Sequence, residues 1–157
     1  MKSAVTMAAL AASAICAGCA ADGHTLFGVP LAPLYAAIAQ VESGNGKTSD
    51  NVYQISSAYL NDVNRILAEM YKVDGMPVHP AYFYPNEVES RSASELMMRV
   101  YWEHYGYLYF METRNLPTAE VLARIHSGGP KGWRKPSTLK YWHKVKAVMD
   151  AAKGTDI

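Results

Sequence analysis

Cysteine is almost missing from this chain: two in 157 residues, Cys16 and Cys19, and none after them. Beyond residue 19 there is no internal disulfide to form and no thiol to act as a nucleophile, so a folded domain must be held by apolar burial. Charge is scarce too. Charged residues make up 18% of the chain and the formal net charge is +1, which leaves no global electrostatic case for a nucleic-acid partner. No apolar run reaches the roughly 20 residues that span a bilayer as a helix. Acidic residues are absent from Val121 to Met149, where Arg124, Lys131, Arg134, Lys135, Lys140, Lys144 and Lys146 stand. Such a stretch is either a solvated face or a surface that attracts an anionic polymer.

What is present suits one compact domain. Half of the residues are hydrophobic, which excludes wholesale disorder, and the length accommodates one core rather than two. Met1 to Ala21 reads as an export signal: Lys2 supplies the positive start, Ala4 to Ile15 is uncharged and apolar, and small residues gather at Ala17-Gly18-Cys19-Ala20-Ala21. Two processing routes compete. Ala17-Gly18-Cys19 suits a lipoprotein signal in which a lipidated Cys19 anchors the chain to a membrane, although Cys16 stands where such signals usually carry Leu. The other route is ordinary cleavage near Ala21. Both put the domain outside the cytoplasm, in the periplasm or cell envelope, or secreted.

Residues 22–29 read as a linker, 30–150 as the domain and 151–157 as a tail. Pro30 suits the first turn of a helix whose stripe is Leu31, Leu34, Ile38 and Val41, ended by Ser43-Gly44-Asn45-Gly46. Ser56 or Ser57 caps a second helix with Tyr59, Leu60, Val63, Ile66, Leu67 and Met70 inward. Asp74 to Asn86 carries three prolines and reads as a loop. Ser92 and Glu95 form a capping box for a third helix facing the core with Leu96, Val100, Tyr101, Tyr107, Leu108 and Met111. Pro117-Thr118-Ala119-Glu120 opens a fourth helix, stopped by Gly128-Gly129-Pro130. Ser137 or Thr138 opens a fifth, with Leu139, Trp142, Val145 and Met149 inward. The expectation is an all-α fold of about five helices around one core.

Glu42 is the first residue with chemical promise. A carboxyl at the end of an amphipathic helix, beside Ile38 and Val41, loses solvation and feels the negative end of the helix dipole; both effects favour the protonated form. An acid held protonated near neutrality can donate a proton to a glycosidic oxygen. On spacing alone, an ordinary solvated carboxylate at a helix end is the better fit.

Three blocks carry a resemblance. Ile38-Ala39-Gln40-Val41-Glu42-Ser43-Gly44-Asn45-Gly46 resembles the start of lysozyme and lytic-transglycosylase domains. Tyr53-Gln54-Ile55-Ser56 with Ala58-Tyr59 is similar to the segment that follows in invertebrate-type (destabilase) lysozymes and their cysteine-free bacterial relatives. Ala123-Arg124-Ile125-His126-Ser127-Gly128-Gly129-Pro130-Lys131-Gly132, followed by Thr138-Leu139-Lys140-Tyr141-Trp142-His143-Lys144-Val145, resembles two further blocks of that group. The resemblance implies a lysozyme-like fold and cleavage of the β-1,4 bond between N-acetylmuramic acid and N-acetylglucosamine in peptidoglycan, with Glu42 as proton donor and no cofactor. Its second carboxylate would match Asp50, although the intervening loop is short and Val52-Tyr53 stands where a Gly-Pro usually precedes the Gln-Ile pair. Asp50 also suits a turn cap beside Asn51.

Around these, Asn45 and Gln54 are candidates to bond N-acetyl groups, Tyr53 and Trp133 to stack on sugar rings, and His126 to donate a hydrogen bond. Gly128 and Gly129 would let the backbone pass close to the sugar, or serve a purely structural turn. Trp142 goes to the core. His126 with His143 lacks a further metal ligand at useful spacing. Adjacent Ser127 and His126 do not face each other on a helix, which excludes a nucleophile–base pair. The rival expectation is a non-catalytic, exported wall-binding protein on the same scaffold.

Overall fold

In the computed structural model, residues 25–44, 50–72 and 82–154 are described. The export signal, Cys19 and Asn45 lie outside them. Five α-helices dominate the described residues: α1 (Leu31–Ser43), α2 (Ser57–Met70), α3 (Arg91–Thr113), α4 (Ala119–Gly128) and α5 (Ser137–Lys153). The fold is all-α, as expected.

The caps explain most boundaries. The Ser56 hydroxyl accepts from the Tyr59 amide to start α2, and the Thr118 hydroxyl accepts from Val121 to start α4. For α3 the cap is Ser90, two residues before the expected Ser92, and its hydroxyl accepts from the Ala93 amide. Glu95 does not close a capping box; its carboxylate accepts a hydrogen bond from the Tyr53 hydroxyl.

The segment read as a linker is partly built into the domain. Strands β1 (Thr25–Leu26) and β2 (Val29–Pro30) pair antiparallel through a two-residue turn in which Phe27 and Gly28 both have positive φ, 52° and 79°. Leu26 is buried, and the Phe27 ring lies against Gly106 of α3, where a Cβ would meet it at 2.5 Å.

Helix α5 packs against both α1 and α4, while α3 packs against α2 and α4. At the centre is Trp102 of α3, wholly buried and stacked on Tyr35 of α1 with centroids 5.5 Å apart. The inward face of α3 is Met97, Met98, Tyr101, Trp102 and Tyr105, one step round from the expected stripe, and Leu96, Leu108 and Met111 are exposed. This helix is apolar on both sides, so periodicity alone does not choose between them. Likewise α5 buries Thr138 and Val145, with Leu139 exposed and Trp142 and Met149 half-buried against the core. Met70, at the end of α2, is also exposed.

Candidate active site

Helical geometry sends Glu42 to the edge of the core. It follows buried Ile38 by four residues, so its side chain leaves α1 on the same face as Leu34, Ala37 and Ile38. Its side chain is 21% exposed, which keeps the carboxyl accessible but poorly solvated. Gly44, with φ 43°, ends the helix.

Two other helices meet it there. His126 of α4 follows buried Leu122 by four residues and is itself buried. Its Nε2 lies 3.1 Å from the Tyr53 carbonyl oxygen and 3.8 Å from Glu42 Oε1. A carbonyl only accepts, so Nε2 carries the proton and Nδ1 the lone pair. Nδ1 is buried without a hydrogen-bond partner. From α5, the Tyr141 hydroxyl lies beside the Glu42 carboxyl, buried and with no acceptor at hydrogen-bond geometry. Lys144, one turn further along α5, stands exposed and within electrostatic reach of the carboxyl.

The electrostatics follow from this packing. Burial raises the Glu42 pKa above the usual carboxyl value, against opposing effects of the Tyr141 hydroxyl and then the Lys144 charge. Burial pushes the His126 pKa down to about 4, only partly countered by its bond to the Tyr53 carbonyl. Burial, and then the neighbouring Glu42, pushes the Tyr141 hydroxyl up. The arrangement is therefore an acid inclined to keep its proton, beside an imidazole and a phenol that are both neutral at pH 7. Such a carboxyl can protonate a leaving oxygen.

The structure brings Glu42 and His126 together, but not every expected partner joins them. Asp50 is exposed at a bend, its carbonyl accepting from the Val52 amide, and among the described residues no second carboxylate contributes to the shift of Glu42. The reading of Tyr53 as a sugar-stacking ring is corrected: Tyr53 is 0% exposed, its ring edge-on to Tyr35 at 6.2 Å and its hydroxyl on Glu95. Its backbone carbonyl, not its ring, reaches the site. Gln54 is exposed with φ 51°, and its side-chain amide donates to the Asn51 carbonyl at 2.9 Å. The Asn51 side chain holds the turn by bonding both the amide and the carbonyl of Ile55, each at 2.9 Å.

Gly128 and Gly129 serve the junction of α4 with α5. A Cβ at Gly128 would sit 2.6 Å from Thr138 Cγ2, and Gly129 caps α4 with φ 79°. Gly132, which sequence reasoning passed over, is tighter still: a Cβ there would overlap the Arg124 carbonyl oxygen. Trp133 is half-buried, edge-on to Tyr109 at 4.9 Å and under the Arg134 guanidinium at 4.6 Å, so its ring contacts belong to the α3 side. Among the described residues no three His, Cys, Asp or Glu side chains gather as metal ligands would. Sequence reasoning gave Tyr141 no place beside the acid. Its signal was the alternative α5 stripe Thr138-Tyr141-Val145-Val148, as helical in spacing as the one chosen.

No protein-family model matches the chain. Three curated relatives match over short stretches. It is 69% identical over 26 residues to a lysozyme of Magallana gigas, 17% of this chain and 19% of that protein. It is 71% identical over 24 residues to a lysozyme of Ostrea edulis, 15% of this chain and 18% of the relative. It is 48% identical over 29 residues to invertebrate-type lysozyme 6 of Caenorhabditis elegans, 18% of this chain and 21% of that protein. The matches relate this chain to lysozymes, the invertebrate type included; they span about a fifth of the relatives' own length.

Proposed function

We propose that this protein is an exported peptidoglycan glycosidase that cleaves the β-1,4 bond between N-acetylmuramic acid and N-acetylglucosamine, with Glu42 as its single carboxyl catalyst. The observation that carries the reading is the Glu42 carboxyl itself, desolvated at the end of α1 and flanked by neutral His126 and Tyr141. The lysozyme matches supply the substrate class.

A single acid favours transglycosylation over hydrolysis. Water attack calls for a second carboxylate about 5–9.5 Å away, as nucleophile or base. Among the described residues no carboxylate is a cause of the Glu42 shift, and burial is the largest one, which supports a site with one acid. In the proposed reaction Glu42 gives its proton to the glycosidic oxygen, which leaves with the bonding pair as the 4-hydroxyl of N-acetylglucosamine. The C6 hydroxyl of the muramic acid attacks C1 and returns its proton to the Glu42 carboxylate. The product carries a 1,6-anhydro ring, and no water is consumed.

The test is mass spectrometry of muropeptides released from purified walls. Anhydro ends support the proposal, whereas reducing ends indicate hydrolysis. Wall binding without cleavage supports the non-catalytic scaffold. Glu42→Gln is expected to lower the rate by about 10²–10⁴-fold, the contribution of a positioned general acid.

A further inference from the structure

We propose that the Tyr141 hydroxyl and the Nε2–H of His126 form an uncharged two-donor cradle that positions Glu42 and takes up the negative charge the carboxyl acquires as it releases its proton. This rests on Glu42 being the proton donor. Both donors are neutral, and both come from helices other than α1. Nε2 stands 3.8 Å from Oε1, outside hydrogen-bond distance, while it donates to the Tyr53 carbonyl at 3.1 Å. The Tyr141 hydroxyl is buried beside the carboxyl, short of full hydrogen-bond geometry yet close enough to lower the Glu42 pKa as a donor to its oxygen.

Neutrality gives the cradle its value. A cation in van der Waals reach would favour the carboxylate at all times, lowering the resting pKa and depleting the acid. A neutral N–H or O–H discriminates instead, because its bond to an ionised oxygen is shorter and roughly twice as strong as its bond to a neutral one. The gain arrives as charge develops, which is when stabilisation accelerates a reaction.

The surroundings keep both donors neutral. The His126 ring is packed among Tyr59, Trp102 and Tyr141, with centroids at 5.6, 6.4 and 6.5 Å. Among the described residues, the groups placed against the Glu42 carboxyl are His126 from α4 and Tyr141 and Lys144 from α5. Lys144 is the only charge among them, and it stands in solvent.

The experiment uses the full chain and two readouts. The first is an NMR titration of the Glu42 side-chain carboxyl in wild type and Tyr141→Phe, which needs no turnover. Removal of a donor that stabilises the carboxylate should raise the Glu42 pKa. An unchanged or lowered value overturns the proposal. The second is the rate–pH profile on soluble peptidoglycan fragments. For Tyr141→Phe the basic limb should move up with the pKa, and kcat should fall about 10- to 100-fold, the loss expected for one hydrogen bond to a charged group. KM should change little. A fall in kcat with no movement of the limb indicates a structural role and overturns the cradle. His126→Gln, which keeps a neutral N–H donor, should retain more kcat than His126→Leu; equal losses overturn the part assigned to His126. If wild type cleaves nothing, the functional reading fails, and the NMR titration still decides whether the two donors stabilise a charged Glu42.

Discussion

His126 should make the protein acid-sensitive by an amount that can be worked out. Its pKa is about 4 in the folded state against an ordinary value of 6.5, because the buried imidazole resists charging. The unfolded chain therefore binds a proton at a pH where the folded protein does not. Stability is fully present above pH 6.5, falls as the pH drops below it, and levels off below pH 4. The His126 contribution to the loss is about 2 kcal/mol at pH 5 and about 3 kcal/mol at pH 4, taking 1.36 kcal/mol per pH unit. Glu42 works the other way: its raised pKa means the folded state holds a proton longer, so acidification adds stability there. To isolate His126, urea unfolding should be measured at pH 7, 6, 5 and 4.5 for wild type and His126→Gln. Whatever the gap at pH 7, it should shift in favour of the variant by about 2 kcal/mol at pH 5. Parallel curves would refute the reasoning. A shift in favour of wild type would mean that His126 is protonated against Glu42, and that the neutral pair described here is wrong.

Gly132→Ala should destabilise the fold by about 1–3 kcal/mol, because the new methyl group meets the Arg124 backbone carbonyl, which cannot rotate away; thermal unfolding will read this as a lowered Tm. Asp50→Asn should leave muropeptide release within about twofold of wild type, since Asp50 is exposed at a bend and is not a cause of the Glu42 shift. A loss like that expected of Glu42→Gln would return Asp50 to the site and the mechanism to hydrolysis.

How far the sequence could be read depended on the type of group. Helix α2 was legible except at its last turn: Ser56 caps it, and Tyr59, Leu60, Val63, Ile66 and Leu67 point inward, while Met70 is exposed. Its polar residues leave only one apolar side. Helix α3 was legible as a helix but not in rotation, since Leu96, Leu108 and Met111 offered a second apolar face that solvent, not the core, receives. The position of Glu42 at the end of α1 was legible from the helical spacing; a chemical role for it came only from the resemblance. The role of residue 53 was not legible, because side-chain chemistry suggested a stacking ring while the atom that matters is a carbonyl. Sequence names side chains; it does not say which main-chain oxygen will be left over to orient a histidine. Tyr141 was hidden by the same ambiguity as α3, with Leu139 and Trp142 offering an equally regular alternative.

The polar centre of this core is costly for a fold without disulfides in the described domain. Tyr59 Oη, Trp102 Nε1, His126 Nδ1 and Tyr141 Oη are all buried without a hydrogen-bond partner, and three of their rings surround the fourth, His126. Each such group typically costs about 1–3 kcal/mol. Apolar side chains of similar shape would remove that cost, so stability does not explain their presence. What the aromatic enclosure achieves is an imidazole that stays uncharged 3.8 Å from a carboxyl. With water around His126, its pKa would return towards 6.5, a cation would form beside Glu42 in mild acid, and the carboxyl would surrender its proton too early. The expense of the core is thus linked to the acidity of one side chain: the aromatics that desolvate His126 are what allow Glu42 to remain an acid.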